Sequence, residues 1–264
     1  VTKALERAAA RRRYERQQKA LAQRRIAAAR NKRVVVVVVA VLAIVALFVG
    51  LSGFLAKSPT TATPAAGTTP TTTVAGCPQP PAPLGTNAVG LKLPDKKTAA
   101  GKTFTAVVGT NCGDITFQLD GTKAPQAVAS FAYLADQNYW VKAPCHRLTT
   151  AGIFVLQCGD PTGTGSGDPG YGFGVENAPK NNIYPRGTLA MARTNDPVKG
   201  NGGQFFIVYK DTTLPGGYTI FGKVTGGMDI VDKIAKAGVA DGGTDGTPAA
   251  PISMLTVSVT EKKG

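Results

Sequence analysis

The chain has 264 residues, with 30 Lys and Arg against 16 Asp and Glu and a formal charge of +14. That length allows one or two domains. Residues 1–33 hold twelve of the basic residues and two Glu, so this tail carries +10 of the charge, and the remaining about +4 removes most of the support for a nucleic-acid-binding surface.

In chain order, the tail comes first. Residues 1–33 are rich in Ala, Arg, Gln and Lys, which favour helix, but apolar residues are too sparse for a strong amphipathic face. A solvated basic helix that sets topology is the plain expectation. Contact with anionic lipid headgroups is the functional one, at ~1 kcal/mol per basic residue near the surface.

Residues 34–56, VVVVVVAVLAIVALFVGLSGFLA, contain no charged side chain. An apolar helix needs about 20 residues to cross the hydrocarbon core. Consecutive Val side chains disfavour helix in water. In lipid the backbone must bond internally, so helix prevails, and strands rarely exceed ~10 residues. A transmembrane helix is therefore expected over 34–56. Arg30, Lys32 and Arg33 abut its first end and Lys57 alone abuts the other. This asymmetry predicts a single-pass cell-membrane protein with a cytoplasmic N-terminus and an extracytoplasmic remainder. The apolar run exceeds the ~7–15 residues of a cleaved signal peptide, which favours an uncleaved anchor. The run Val74-Ala75-Gly76-Cys77 resembles a lipoprotein processing site, but a Thr/Pro-rich stretch separates it from the apolar segment, so lipidation is not expected.

Residues 57–84 form that stretch. They have almost no large apolar side chains and cannot build a core. As an extended Pro-rich linker, ~25 residues reach ~75 Å. Residues 85–264 then form one globular domain. Ile115, Phe117 and Leu119 alternate in DITFQLD, as do Leu189 and Met191 in GTLAMAR, and FFIVYK, YTIFGKV and MLTVSVT follow as further strand signals. Helices are predicted from Pro125 to about Gln137, with Pro at an early position, and over Met228–Ala237, with Gly238 as the stop. Many short strands with two helices fit a small closed β-barrel capped at both ends.

Four cysteines allow three connectivities. Cys145–Cys158 is favoured because a hairpin-like turn brings its ends together, and Cys77–Cys112 then pins the linker to the barrel. Four reduced, partly buried thiols are the alternative. With no CxxC pair and a single His, no metal site is expected.

Four segments carry the functional signal: His146-Arg147, LQCGDPTGTG at 156–165, LAMARTN at 189–195 and GNGGQFFIVYKDTTLPGGYTIFGKV at 200–224. In this order and spacing the chain resembles the cyclophilins, a family of peptidyl-prolyl cis-trans isomerases, over about residues 103–260. Its tail and anchor resemble those of bacterial, actinobacterial relatives. The resemblance implies a mainly β fold, a closed eight-stranded antiparallel barrel with two α-helices, and proline-containing polypeptides as partners. No cofactor is implied, and a monomer is expected.

Isomerisation about an X–Pro bond needs no nucleophile and no metal. It needs an apolar slot for the ring and a donor aimed at the prolyl nitrogen as it becomes pyramidal. By resemblance Arg147 is the catalytic donor. Phe154, Val155, Phe206 and Leu214 form the proline slot, and Gln157 and Gln204 hold the peptide backbone. Met191 and Ala192 offer main chain to the residues before proline. His146 is expected to be a structural hydrogen-bonding residue.

The chain departs from the family pattern in several places. Val155 stands for the usual Met and Arg193 for Asn. Thr213 stands for a Trp associated with cyclosporin binding, so weak drug sensitivity is expected. Tyr218 stands for His and can still supply the substrate site with an aromatic wall and a hydroxyl. The loop 148–153 is longer than the usual turn. The G-x-G-x-x-G match at Gly165–Gly170 lacks a βαβ context and reads as a flexible loop. Two functional readings follow: an isomerase acting on secreted or envelope proteins, and a catalytically weak binding module that keeps the fold as a chaperone or scaffold.

Overall fold

The computed structural model describes residues 74–86 and 90–263. The basic tail, the apolar segment 34–56 and the linker as far as residue 73 lie outside the described residues. Among the described residues no helix is long and apolar enough to cross a membrane.

Strand β1 (Thr103–Thr110) and β2 (Gly113–Asp120) form a hairpin whose alternation turns Phe104, Ala106 and Val108, then Ile115, Phe117 and Leu119, to one face. The other strands of the main sheet are β3 (Ala143–Pro144), β4 (Arg147–Thr149), β5 (Val155–Cys158), β7 (Thr188–Arg193), β8 (Asn201–Val208), β10 (Ile220–Gly226), β11 (Asp245–Gly246) and β12 (Ser253–Glu261). Two short strands, β6 (Ile183–Tyr184) and β9 (Thr212–Thr213), pair separately.

The main sheet has ten strands in the order β11-β4-β5-β8-β7-β10-β2-β1-β12-β3. It is curled but not closed, which corrects the expected eight-stranded closed barrel. Strands β3 and β4 are consecutive pieces of one stretch, so they cannot pair with each other. One half pairs with β12 and the other with β5. Pro144 lacks an N–H, and the stretch continues only through Cys145, whose N–H donates to the Ile252 carbonyl at 2.9 Å. Chain continuity, not a ladder, joins the edge strand β3 to β4, the strand next to the other edge.

Helix α1 (Pro125–Asp136) and helix α2 (Met228–Ala237) pack on the inner face. Pro125 presets the first turn of α1. Ala124 supplies no side-chain cap, and the Glu176 carboxylate, from a distant loop, accepts the Gln126 N–H at 3.0 Å and the Ala127 N–H at 3.0 Å instead. A negative charge there meets both the orphan donors and the helix dipole. Helix α2 turns Ile230, Val231 and Ile234 inward and ends at Gly238, φ 81°. Phe131 of α1 sits 5.6 Å from Phe205 and from Phe221, and 4.5 Å from Trp140, centroid to centroid.

Beyond this core the described residues contain a second, smaller apolar cluster. Val155, Tyr184, Ala190, Phe206, Val208 and Leu214 are buried on the outer face of β5, β8 and β7. That explains the unbroken apolar run FFIV: Phe205 and Ile207 enter the main core while Phe206 and Val208 enter the second cluster. Both disulfides form in the expected pairing, Cys77–Cys112 and Cys145–Cys158. The second clamps the chain two residues before Arg147 to the residue after Gln157.

Candidate active site

The outer face of the sheet carries the site as one cross-strand row. Arg147 pairs with Gln157, Gln157 with Phe206, Phe206 with Ala190, and Ala190 with Ile220. Directly opposed residues share a face, so strand register alone sets a cation, an amide and an aromatic ring side by side. Gln204, two residues before Phe206 on β8, shares that face.

Phe206, Val155 and Leu214 form the apolar floor of a cleft of about 160 Å³, with Arg147 and Gln157 on one wall and Tyr218 on the other. The Tyr218 ring meets Phe206 edge-on at 5.5 Å. The buried Tyr184 fixes that wall. Its hydroxyl donates to the Tyr218 carbonyl at 3.1 Å and accepts the Tyr218 N–H at 2.7 Å. Arg193 holds the same loop by donating to the carbonyls of Gly216 and Gly217, with its guanidinium 5.7 Å from the centre of the Tyr218 ring.

A second cleft of about 370 Å³ adjoins the first, and Gln157, Ala192 and Arg193 line both. Its other wall is the loop 165–168. Polar contacts run continuously along the two clefts. Arg147 Nε and Nη2 each donate to Asp245 at 2.7 Å, and Nη1 approaches Gln157 Oε1 at 3.4 Å. Gln157 Nε2 donates to Gln204 Oε1 at 3.0 Å, and Gln204 Nε2 donates to the carbonyls of Gly165 and Gly167 at 3.0 and 2.9 Å.

Asp160, fully buried, organises that loop. Its carboxylate accepts from the Thr162 N–H and hydroxyl, both at 2.7 Å, and from the N–H groups of Gly165 at 2.6 Å and Gly167 at 3.1 Å. Burial pushes this carboxyl up, but the hydrogen bonds together outweigh it and hold it below the usual carboxylate range. Gly159, φ 98°, brings the chain against β8, where a Cβ would lie 2.5 Å from the Gly203 carbonyl.

A profile of the family described as cyclophilin type peptidyl-prolyl cis-trans isomerase/CLD matches residues 105–259, more than half of the chain. The chain belongs to this family. It is 48% identical over 161 residues to a probable peptidyl-prolyl cis-trans isomerase B of Mycobacterium tuberculosis, covering 56% of this chain and 52% of that protein. The Mycobacterium leprae protein of the same description is 44% identical over 180 residues, covering 61% of this chain and 60% of that one. The chain thus spans roughly half to three fifths of these relatives. Among solved structures, a Cryptosporidium parvum cyclophilin type isomerase, crystallised in the presence of the dipeptide Ala-Pro, superposes with a TM-score of 0.51 at 30% identity, covering 60% of this chain and 99% of that one.

Within the cyclophilin frame, the structure brings Arg147, Val155, Gln157, Ala192, Phe206, Leu214 and Tyr218 to the smaller cleft and places Gln204 in the larger one. Two expected residues go elsewhere. Phe154 does not reach the cleft. Its ring meets Tyr209 edge-on at 6.0 Å, and Lys210 Nζ lies 4.4 Å from the ring centre. Alternation decides this: Val155 faces the cleft, so its neighbour faces away, and Ile153 supplies the wall in its place. Met191 turns into the main core, and its N–H already donates to the Thr219 carbonyl at 2.9 Å. That amide is not open to a peptide. Thr213 is exposed on β9, opposite Ile183.

Sequence reasoning missed Ile153, Tyr184, Asp160 and Asp245. Asp160 had a readable signal, an Asp followed by alternating Thr and Gly, which favours side-chain-to-backbone turns. Asp245 had none, standing 98 residues from its partner.

His146 also differs from expectation. Both ring nitrogens are buried and make no hydrogen bond of full geometry. Burial drives its pKa below the ordinary value, with the help of Arg147 and against the opposing pull of Asp160 and of the Pro144 backbone. Protons therefore bind the unfolded state more readily than the folded one. Stability should be full above about pH 6.5, the unfolded value, and fall as pH drops toward the lower folded value. Thermal unfolding between pH 5 and 8 should show this decline in the wild type and not in His146→Gln. An equal slope in both would refute the assignment.

Proposed function

We propose that the chain is a peptidyl-prolyl cis-trans isomerase in which Arg147 stabilises the twisted X–Pro amide while the floor around Phe206 takes the proline ring. The observation that carries this is the row in which Arg147, Gln157 and Phe206 stand side by side above a small apolar cleft.

Amide resonance makes rotation about a peptide bond cost ~18–20 kcal/mol, and X–Pro bonds isomerise in tens to hundreds of seconds. Twisting the bond ends the resonance and returns a lone pair to the prolyl nitrogen. An apolar floor strips water from the amide. A guanidinium N–H beside the floor then donates to the nitrogen only once the lone pair exists. Such a contact lowers the barrier without tightening the ground state. The larger cleft, floored by glycines and edged by Gln157 and Gln204, takes the residues before proline in an extended conformation.

The uncharged segment 34–56 supports a further part of the reading: a membrane-anchored isomerase whose domain works outside the cytoplasm on secreted or envelope proteins. Two disulfides among the described residues fit an oxidising compartment. A reporter fused after Gly264 should be active only outside, and cytoplasmic activity would reject this placement. The catalytic reading is tested by NMR exchange of a short X–Pro peptide with the purified chain. Cis-trans exchange should accelerate at catalytic concentrations of protein. Peptide binding without acceleration would instead favour a binding module built on the same fold.

A further inference from the structure

We propose that Asp245 is a positioning residue for the reaction: its carboxylate fixes the plane of the Arg147 guanidinium so that the remaining N–H groups face the cleft. The inference rests on Arg147 being the donor proposed above.

The geometry is that of a fork on a fork. Arg147 Nε and Nη2 donate to the two oxygens of Asp245, each at 2.7 Å. An arginine carries five N–H groups in one rigid plane. Engaging Nε and one face of Nη2 sets that plane. Three N–H groups, two on Nη1 and one on Nη2, are then left for Gln157 and the cleft, and Gln157 Oε1 at 3.4 Å from Nη1 completes the alignment from the far side.

The backbone delivers Asp245 to this place. Strand β11 pairs with β4, setting Asp245 opposite Thr149 and Gly246 opposite Leu148. Asp245 and Arg147 are therefore diagonal neighbours on one face, a span that a long side chain bridges. The register is held on both sides, by the Thr150 N–H donating to the Thr244 carbonyl at 2.8 Å and the Ala240 N–H donating to the Thr247 carbonyl at 2.9 Å. At Gly246 a Cβ would lie 2.9 Å from Val239 Cγ1, so this turn is fitted closely.

Stability does not explain the pair. Both side chains are substantially exposed, 40% and 52%, and exposed ion pairs contribute little to folding. Orientation does explain it. Half-exposed arginine side chains sample many rotamers, and a donor that must meet a transient lone pair gains from being held in one of them.

The test uses the purified full chain and two readouts. The first is kcat/KM for an X–Pro peptide by NMR exchange, in wild type, Asp245→Ala, Asp245→Asn and Arg147→Ala. The second is the Arg147 Nε–H signal, assigned by its loss in Arg147→Lys. We expect Asp245→Ala to lower kcat/KM about five- to tenfold, mostly in kcat, consistent with misplacement rather than loss of a catalytic group. Asp245→Asn, which keeps one acceptor oxygen, should fall between. The Nε–H signal, sharp in wild type, should broaden in Asp245→Ala while the backbone amide spectrum keeps its dispersion. A rate within twofold of wild type overturns the inference. So does a rate loss with an unchanged Nε–H signal, which would assign the effect to β11 itself. Full activity in Arg147→Ala would instead remove the donor on which the inference rests.

Discussion

Replacing Arg147 by Ala should lower kcat/KM for X–Pro isomerisation by roughly 10²–10³-fold, the usual cost of removing one transition-state donor, or about 3–4 kcal/mol. The loss should fall on kcat. In the planar cis and trans states the prolyl nitrogen has no lone pair to offer, so the guanidinium contributes little to ground-state binding. Arg147→Lys should recover only part of the rate, because an ammonium cannot make the paired contact to Asp245 that sets the donor's direction. The folded state should survive both changes, since Arg147 lies at the half-exposed edge of the cleft and not in either core. Exchange spectroscopy with saturating and subsaturating peptide separates kcat from KM. A loss confined to KM would mean that Arg147 holds the substrate and does not act on the twisted bond.

Asp160→Ala should be the most destabilising single change at the site. The wild-type carboxylate is fully buried and receives the N–H groups of Thr162, Gly165 and Gly167 together with the Thr162 hydroxyl. Removing it strands several donors, each costing ~1–3 kcal/mol if it stays buried. Partial rescue by water brings the total to roughly 3–5 kcal/mol, or a fall of about 10 °C in Tm for a domain of this size. Activity should fall as well, because the carbonyls of Gly165 and Gly167 are the acceptors that hold Gln204. The same carboxylate makes an acid limb. Its folded pKa lies below the ordinary value, so its contribution is complete above about pH 4 and disappears as pH falls through the lower folded value. Calorimetry of the two proteins at neutral pH decides the matter, and a Tm difference under about 2 °C would show that the loop is held by other contacts.

Much of this architecture was legible in the residues. The alternation in DITFQLD gave β2, Pro125 gave the start of α1, and Gly238 gave the end of α2. Motif order pointed to Arg147, Gln157, Phe206 and Leu214, which the cleft gathers. What escaped was long-range or one residue out of phase. The longer loop between Leu148 and Ile153 hid which of Ile153 and Phe154 faces the cleft, since a shift of one position exchanges the two faces of a strand. Asp245 is invisible locally because its role depends on β11 returning beside β4. Strand closure escaped for a related reason: alternation identifies strands but not which edges bond. A single stretch, residues 143–149, here supplies β3 at one edge of the sheet and β4 beside the other.

The double-sided burial of β8 has a consequence for how this protein can change. Phe205 and Ile207 belong to the core, while Gln204 and Phe206 belong to the clefts, and the two sets interleave along one strand. Odd positions answer to folding and even positions line the clefts. Selection, natural or in the laboratory, can therefore rewrite what the clefts accept at every second residue and leave the intervening letters, and the scaffold they hold up, as they were.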